Sequence, residues 1–241
     1  MKVGTIKMFC LPHAGGSASN YLPWSKLLPV EVVPIEYPGR GFRAKEPLCV
    51  DIDGIVQSVY ESMTEKLEDT DDYMIYGHSM GSLIAYEVAH KLHEGNHRAP
   101  LHLILSGGKA PQRRIKQKDS HKLPLRLFEE VVLEYGGKQT DQIFKNEELK
   151  NYFIPILRAD IKIVEDYLYQ PRKMPLQCDL SILVGEEDES TTWNEVKEWS
   201  QITNGGCEFY YFNGGHFFIQ EQVSDVIKTI HHILDQHHVS M

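Results

Sequence analysis

A single serine stands between two glycines in the stretch Gly77-His-Ser-Met-Gly81. The pattern Gly-x-Ser-x-Gly fixes only three positions, so a chain of this length matches it by chance about one time in ten. The flanks make this match more informative, because an apolar run at residues 73–76 precedes it and a helical apolar pattern follows. Strand, sharp turn and helix form a nucleophile elbow, in which the serine hydroxyl projects clear of the sheet. We therefore predict that Ser79 is a nucleophile.

A serine hydroxyl needs a base to accept its proton and an acid to orient that base. Behind a nucleophile elbow, the acid and then the histidine follow the serine along the chain. His216 comes after an apolar segment and the flexible turn Asn213-Gly-Gly215, which makes it the predicted base. His78, beside the nucleophile, is expected to pack against the elbow instead.

Four carboxylates follow another apolar segment, in the stretch Gly185-Glu-Glu-Asp-Glu189. We predict that Asp188 is the acid, because its short side chain suits a fixed hydrogen bond to an imidazole. Glu186, Glu187 and Glu189 are expected to face solvent. In the alternative interpretation, Asp188 caps the helix near Trp193.

Two backbone amides should stabilise the oxyanion that forms when such a serine attacks a carbonyl carbon. Met80, the residue after the nucleophile, supplies one of them. The second should come from a loop after an early strand, and Pro12-His-Ala-Gly-Gly-Ser17 stands in that position. Taken alone, the glycines of this loop could form an ordinary tight turn.

The elements that must position these residues alternate along the chain. Apolar segments typical of strands occur at residues 6–11, 32–37, 73–76, 101–105, 180–184 and 209–212. Helical patterns occur at residues 52–67, 81–94, 194–201 and 221–234. The alternation predicts an α/β fold, with a mostly parallel sheet covered by helices on both faces, in a single domain over residues 1–241.

Residues 109–172, here called the lid segment, interrupt this alternation. They contain helical patterns at residues 125–135 and 152–169 and no convincing strand. A helical insertion next to strand ends often covers a ligand site, so we predict a lid.

Charge and composition limit the classes of partner and cofactor that we expect the protein to bind. The 241 residues carry a formal net charge of -9, which makes general binding of nucleic acid or anionic membranes unfavourable. No apolar run is long enough for a signal peptide or a membrane span, so we expect a soluble, cytoplasmic protein. We also expect a monomer. The histidine pairs His231-His232 and His237-His238 lack a zinc-enzyme motif, and we expect neither a metal nor a redox cofactor.

Six motifs in one order resemble the type II thioesterases, which are discrete α/β-hydrolases that accompany nonribosomal peptide and polyketide synthases. The motifs are His13-Ala-Gly-Gly-Ser, Tyr37-Pro-Gly-Arg-Gly41, Gly77-His-Ser-Met-Gly81, Leu157-Arg-Ala-Asp160, Gly185-Glu-Glu-Asp188 and Gly214-Gly-His216. The likeness spans almost the whole chain. Thioesterase domains built into synthases often carry their acid after the strand that follows the elbow helix, where this chain reads Leu103-Ile-Leu-Ser-Gly-Gly-Lys-Ala110 without a carboxylate.

The resemblance implies an α/β-hydrolase fold with a triad of Ser79, Asp188 and His216, and an oxyanion hole formed by the amides of Ala14 and Met80. It also implies hydrolysis of acyl or aminoacyl groups from the phosphopantetheine thiol of carrier proteins, as an editing step. We assign no catalytic role to the motifs at residues 37–41 and 157–160.

Three other functions stay open. A chain-terminating fatty acyl thioesterase would share the site but release a longer product. A small-ester hydrolase would need no carrier partner, and a noncatalytic carrier-binding protein would not need a triad.

The start of the lid segment is strongly basic, with seven Lys and Arg residues against one aspartate over residues 109–126. Such a charge run is usually a solvated face. Carrier proteins typically present an acidic helix, however, so a basic strip could guide docking. We name Arg113, Arg114, Lys116 and Lys118 the basic strip and predict that it contacts the carrier protein.

Overall fold

A six-stranded parallel sheet forms the centre of the protein, in the order β2-β1-β3-β4-β5-β6. The computed structural model describes residues 6–68, 71–114, 119–135 and 140–237. The strands are β1 (Lys7–Leu11), β2 (Glu31–Pro34), β3 (Tyr73–His78), β4 (His102–Ser106), β5 (Asp179–Gly185) and β6 (Cys207–Phe212).

Helices cover both faces of this sheet. They are α1 (Ile52–Thr64), α2 (Met80–Glu94), α3 (Leu125–Glu134), α4 (Thr140–Lys145), α5 (Glu147–Asp166), α6 (Trp193–Val196), α7 (Phe218–Glu221) and α8 (Val223–Gln236). Helices α1 and α2 bury their apolar sides in one core cluster, while α8 and a 3-10 helix at Ala18–Lys26 pack into the other. Because both faces are covered, a strand such as β3 is buried along its whole length, as in other parallel sheets. The predicted α/β fold is confirmed.

The lid segment contains α3, α4 and α5 between β4 and β5. Its helices have a small core of their own around Phe128, Val132 and Leu157, and the guanidinium of Arg158 stacks 4.3 Å from the centre of the Phe128 ring. Among the described residues of this segment there is no strand. That the segment acts as a lid, and that the chain is one domain, stay predictions.

Several boundaries differ from the sequence-based ones. Strand β2 ends at Pro34 rather than at residue 37, although the Ile35 N–H still donates to the carbonyl oxygen of Cys10 at 3.0 Å. Beyond it, Tyr37 turns its hydroxyl toward the carbonyl oxygen of Pro12, 3.0 Å away. The helix expected at residues 194–201 is divided into α6 and a 3-10 helix at Lys197–Gln201. No helix within the described ranges is long and apolar enough to cross a membrane.

Candidate active site

Ser79 occupies a strained turn between β3 and α2, with φ 57° and ψ -113°. The turn is tight because two backbones meet there. A Cβ atom on Gly77 would lie 2.2 Å from the carbonyl oxygen of Gly81, and a Cβ on Gly81 would lie 2.2 Å from that of Leu11. Only glycine fits at either position, and the serine is left at the carboxyl edge of the sheet.

A chain of hydrogen bonds joins the three side chains that the sequence singled out. The Ser79 Oγ lies 2.8 Å from His216 Nε2, and His216 Nδ1 lies 2.8 Å from Asp188 Oδ2. Asp188 follows β5 and His216 follows β6, so the loops after two adjacent parallel strands bring both to the serine. Both side chains are buried. Such an arrangement can move a proton from a hydroxyl to an imidazole held by a carboxylate.

Ser190 fixes the second oxygen of the Asp188 carboxylate. Asp188 Oδ1 accepts hydrogen bonds from the Ser190 N–H (2.9 Å) and hydroxyl (2.5 Å). Burial by itself would raise the pKa of Asp188, but the hydrogen bonds from His216 and Ser190 outweigh it and hold that pKa below its usual value. Ser190 was not predicted from the sequence, although a serine two residues after an aspartate is a turn signal.

The helix-cap interpretation of Asp188 is wrong. Helix α6 begins after Thr192, which forms a capping box with Glu195, and the Asp188 carboxylate is used by His216 and Ser190 instead. The three neighbouring glutamates, Glu186, Glu187 and Glu189, are exposed, as expected.

Three further aromatic rings, those of His78, Tyr135 and Phe217, surround the imidazole of His216. The ring of His78 lies 5.2 Å from it and is fully buried behind the elbow, with Nδ1 3.0 Å from the Ser106 hydroxyl. Burial lowers the pKa of His78 well below its usual value, so this imidazole is neutral. On the side of the lid segment, the Tyr135 ring lies 5.7 Å from His216.

A buried ion pair fixes the loop at residues 12–17. Asp160, on α5, binds Arg40 through two hydrogen bonds of 2.6 Å, and its Oδ2 also accepts the Gly15 N–H at 2.7 Å. Arg40 donates in turn to the carbonyl oxygen of Gly16, at 3.3 Å. The motifs at residues 37–41 and 157–160 thus hold this loop against the lid segment.

The two amides predicted to bind an oxyanion belong to Ala14 and Met80. Met80 is the first residue of α2, so its N–H has no acceptor within the helix. Among the described residues, none accepts a hydrogen bond from the Ala14 N–H. Both amides are therefore able to bind a ligand oxygen, and their role stays a prediction.

The basic strip is corrected by the structure. Arg114 is only 8% exposed, so it is not the surface docking residue that we expected. It turns inward where the chain leaves β4 and enters the lid segment. The Arg113 side chain is 52% exposed and forms an ion pair with Glu198. Lys116 and Lys118 lie outside the described residues.

Among the described residues, one cluster has the side chains that could hold a metal ion: His102, Asp179 and His237. It lies at the opposite edge of the sheet from Ser79, where β4 and β5 begin. Both ring nitrogens of His102 are already engaged, Nδ1 with His237 Nε2 at 3.0 Å and Nε2 with the Ser181 hydroxyl at 2.8 Å. Nothing in this cluster contributes to the serine site.

The chain is similar to known proteins over nearly its whole length. A family model described as a thioesterase domain matches residues 6–234. The gramicidin S biosynthesis protein GrsT of Aneurinibacillus migulanus is 30% identical, covering 92% of this chain and 86% of its own. The medium-chain S-acyl fatty acid synthase thioesterase of Homo sapiens is 34% identical, covering 92% of this chain and 83% of its own. The structure of ClbQ from the colibactin NRPS/PKS pathway has a TM-score of 0.91 at 30% identity, covering 97% of this chain and 98% of that one.

The buried pair of Arg40 and Asp160 generates a stability prediction. Asp160→Asn should lower the free energy of unfolding by about 3–5 kcal/mol, because it leaves the Arg40 charge buried without a counterion. Urea denaturation measures the change. As a control, Glu94→Gln removes an exposed partner of Arg172 and should cost less than about 1 kcal/mol. Equal effects of the two substitutions would contradict the structural importance of the pair.

Proposed function

The chain belongs to the thioesterase family, and on that premise we propose that it removes acyl or aminoacyl groups from the phosphopantetheine thiol of carrier proteins. The observation that carries the proposal is the unbroken hydrogen-bond chain from Ser79 through His216 to Asp188 at the carboxyl edge of the sheet. In this role the protein regenerates peptide or polyketide synthases that carry a wrong or stalled acyl group.

The first half of the reaction acylates the enzyme. The Ser79 Oγ attacks the thioester carbonyl carbon while His216 Nε2 takes the hydroxyl proton, and Asp188 stabilises the resulting imidazolium. The amides of Ala14 and Met80 bind the oxyanion of the tetrahedral intermediate. When the intermediate collapses, the carbon–sulfur bond breaks and the pantetheine sulfur leaves with the proton from His216.

The second half restores the enzyme. His216 takes a proton from a water molecule, whose oxygen attacks the acyl carbon on Ser79. Collapse of this second intermediate breaks the ester bond, and His216 returns the proton to Ser79 Oγ. The products are a carboxylic acid, a free carrier thiol and the original serine.

The likeness to relatives supports a carrier-bound substrate. The name of GrsT assigns it to gramicidin S biosynthesis, and the ClbQ structure is described as part of an NRPS/PKS pathway. Because Arg114 is buried, Arg113 is the one described residue of the basic strip that could contact the carrier protein.

A chain-terminating fatty acyl thioesterase is the second candidate. The human relative at 34% identity is named a medium-chain thioesterase of fatty acid synthase. This activity would use the same serine, and only the length of the acyl group would distinguish it from editing.

Substrate comparison tests the proposed function. We expect the highest kcat/KM for short acyl groups on a carrier protein, lower values on coenzyme A, and the lowest on simple oxygen esters. Release of acid from acetyl and dodecanoyl forms of each substrate provides the measurement. Preference for dodecanoyl carrier protein would favour chain termination, and preference for oxygen esters would favour a small-ester hydrolase. If no substrate were hydrolysed, the result would favour a noncatalytic carrier-binding protein.

The acid assignment makes a second prediction. Asp188→Asn should lower kcat by about 10³–10⁴-fold, because the neutral side chain no longer stabilises the imidazolium of His216. The exposed neighbours provide matched controls, since Glu186→Gln, Glu187→Gln and Glu189→Gln should each change kcat less than about threefold. If a glutamate variant were the inactive one, the acid would be misassigned.

A further inference from the structure

Arg114 is a buried cation, and no carboxylate among the described residues is hydrogen-bonded to it. Its side chain forms no hydrogen bond and no ion pair with any residue that the structure describes, and its Nε is buried without a partner. Arg40 also has a buried Nε without a partner, but its terminal nitrogens differ from those of Arg114. The Arg40 guanidinium is similarly buried, but the carboxylate of Asp160 pairs with it through two hydrogen bonds.

Two of the polar groups around Arg114 already form hydrogen bonds to other residues. Its electrostatic neighbours are the phenols of Tyr135 and Tyr167 and the carboxylate of Glu195. Glu195 binds Lys109 at 3.0 Å and the N–H of Thr192 at 2.9 Å. The Tyr167 hydroxyl donates to the Glu87 carboxylate at 2.6 Å. None of these groups supplies a hydrogen bond that would compensate the guanidinium.

The charge itself is retained. Burial lowers the pKa of Arg114 to about 10, which still leaves the guanidinium protonated at neutral pH. Holding an unpaired charge away from water is costly, and proteins rarely do so without an anion that binds there. Arginine is well suited to such an anion, because its planar donors match a carboxylate or a phosphate.

Arg114 and the serine site have one neighbour in common. Tyr135, one of its electrostatic neighbours, packs its ring 5.7 Å from the ring of His216. Arg114 also follows β4 at the carboxyl edge of the sheet, the edge at which Ser79, Asp188 and His216 meet. We therefore expect an anion bound to Arg114 to belong to a molecule that also reaches the serine site.

We propose that Arg114 binds an anionic group of the thioester substrate, either a carboxylate on the acyl chain or the phosphate of the phosphopantetheine arm. The proposal rests on the proposed thioesterase function and extends it, because it assigns a charged substrate class to the site. Arg114 would act in substrate selection, while Ser79 and His216 perform the chemistry.

Paired substrates test whether Arg114 binds a carboxylate on the acyl chain, and this comparison is called the acyl arm of the experiment. N-acetylcysteamine thioesters carry no phosphate, and malonyl and succinyl differ from propionyl and butyryl by a carboxylate in place of a methyl group. The readout is the ratio of kcat/KM for the anionic to the neutral thioester, so that a general loss from a distorted lid segment cancels. Losing a charge-assisted hydrogen bond in Arg114→Met should lower this ratio about 10–100-fold.

A second comparison, called the phosphate arm of the experiment, tests whether Arg114 binds the phosphate. It uses butyryl thioesters of phosphopantetheine and of pantetheine, and its readout is again the ratio of kcat/KM for the anionic to the neutral thioester. Arg114→Lys keeps the charge and should retain part of the preference in whichever arm responds. Arg126→Met serves as the matched control, since Arg126 is a lid-segment arginine with a 90% exposed side chain paired to Glu130. It should leave both ratios within about twofold.

The outcomes separate the two claims. A lower ratio in the acyl arm identifies the carboxylate as the ligand, and a lower ratio in the other arm identifies the phosphate. Ratios that stay unchanged in both arms would overturn the assignment of Arg114. Failure of the unsubstituted protein to hydrolyse any of the thioesters would overturn the proposed function instead.

Discussion

The approach of α2 to β3 leaves no space for a side chain at Gly77, its approach to β1 leaves none at Gly81, and the site is organised around that constraint. It forces Ser79 into a left-handed backbone conformation and directs its hydroxyl away from the sheet. Because β5 and β6 run parallel to β3, the loops that follow them reach the same edge and bring Asp188 and His216 to the serine. The strain at one residue is thus balanced by packing throughout the sheet.

Two buried arginines illustrate how charge is used around this edge. Arg40 has a carboxylate partner in Asp160, and the pair joins the loop at residues 12–17 to helix α5 of the lid segment. A movement of α5 would therefore also shift the loop that contains the Ala14 amide. Arg114 has no such partner among the described residues, and its charge is available to a ligand. A structural cation and a ligand-binding cation are distinguished here by whether a carboxylate is bonded to them.

Local patterns allowed much of the fold and site to be predicted. Ser79 could be recognised from a strand, a glycine turn and a helix that are adjacent in sequence, and His216 from its place after the last strand. The family resemblance is confirmed by the match over residues 6–234. The bond from Arg40 to Asp160 could not be predicted, because 120 positions separate the two residues. Arg114 was misplaced for a related reason: a run of basic residues gives no information about which of them turns inward. The catalytic roles of Ser79, Asp188, His216, Ala14 and Met80 stay predictions.

The central claim is that Ser79 is the nucleophile, and covalent labelling tests it most directly. The protein is treated with phenylmethylsulfonyl fluoride, and its remaining thioesterase activity and its peptides are followed together by kinetics and mass spectrometry. We predict that activity falls in proportion to a single sulfonyl adduct on the peptide containing Ser79, and that Ser79→Ala acquires no adduct. Inactivation with the adduct on another peptide, or full activity after Ser79 is modified, would contradict the account.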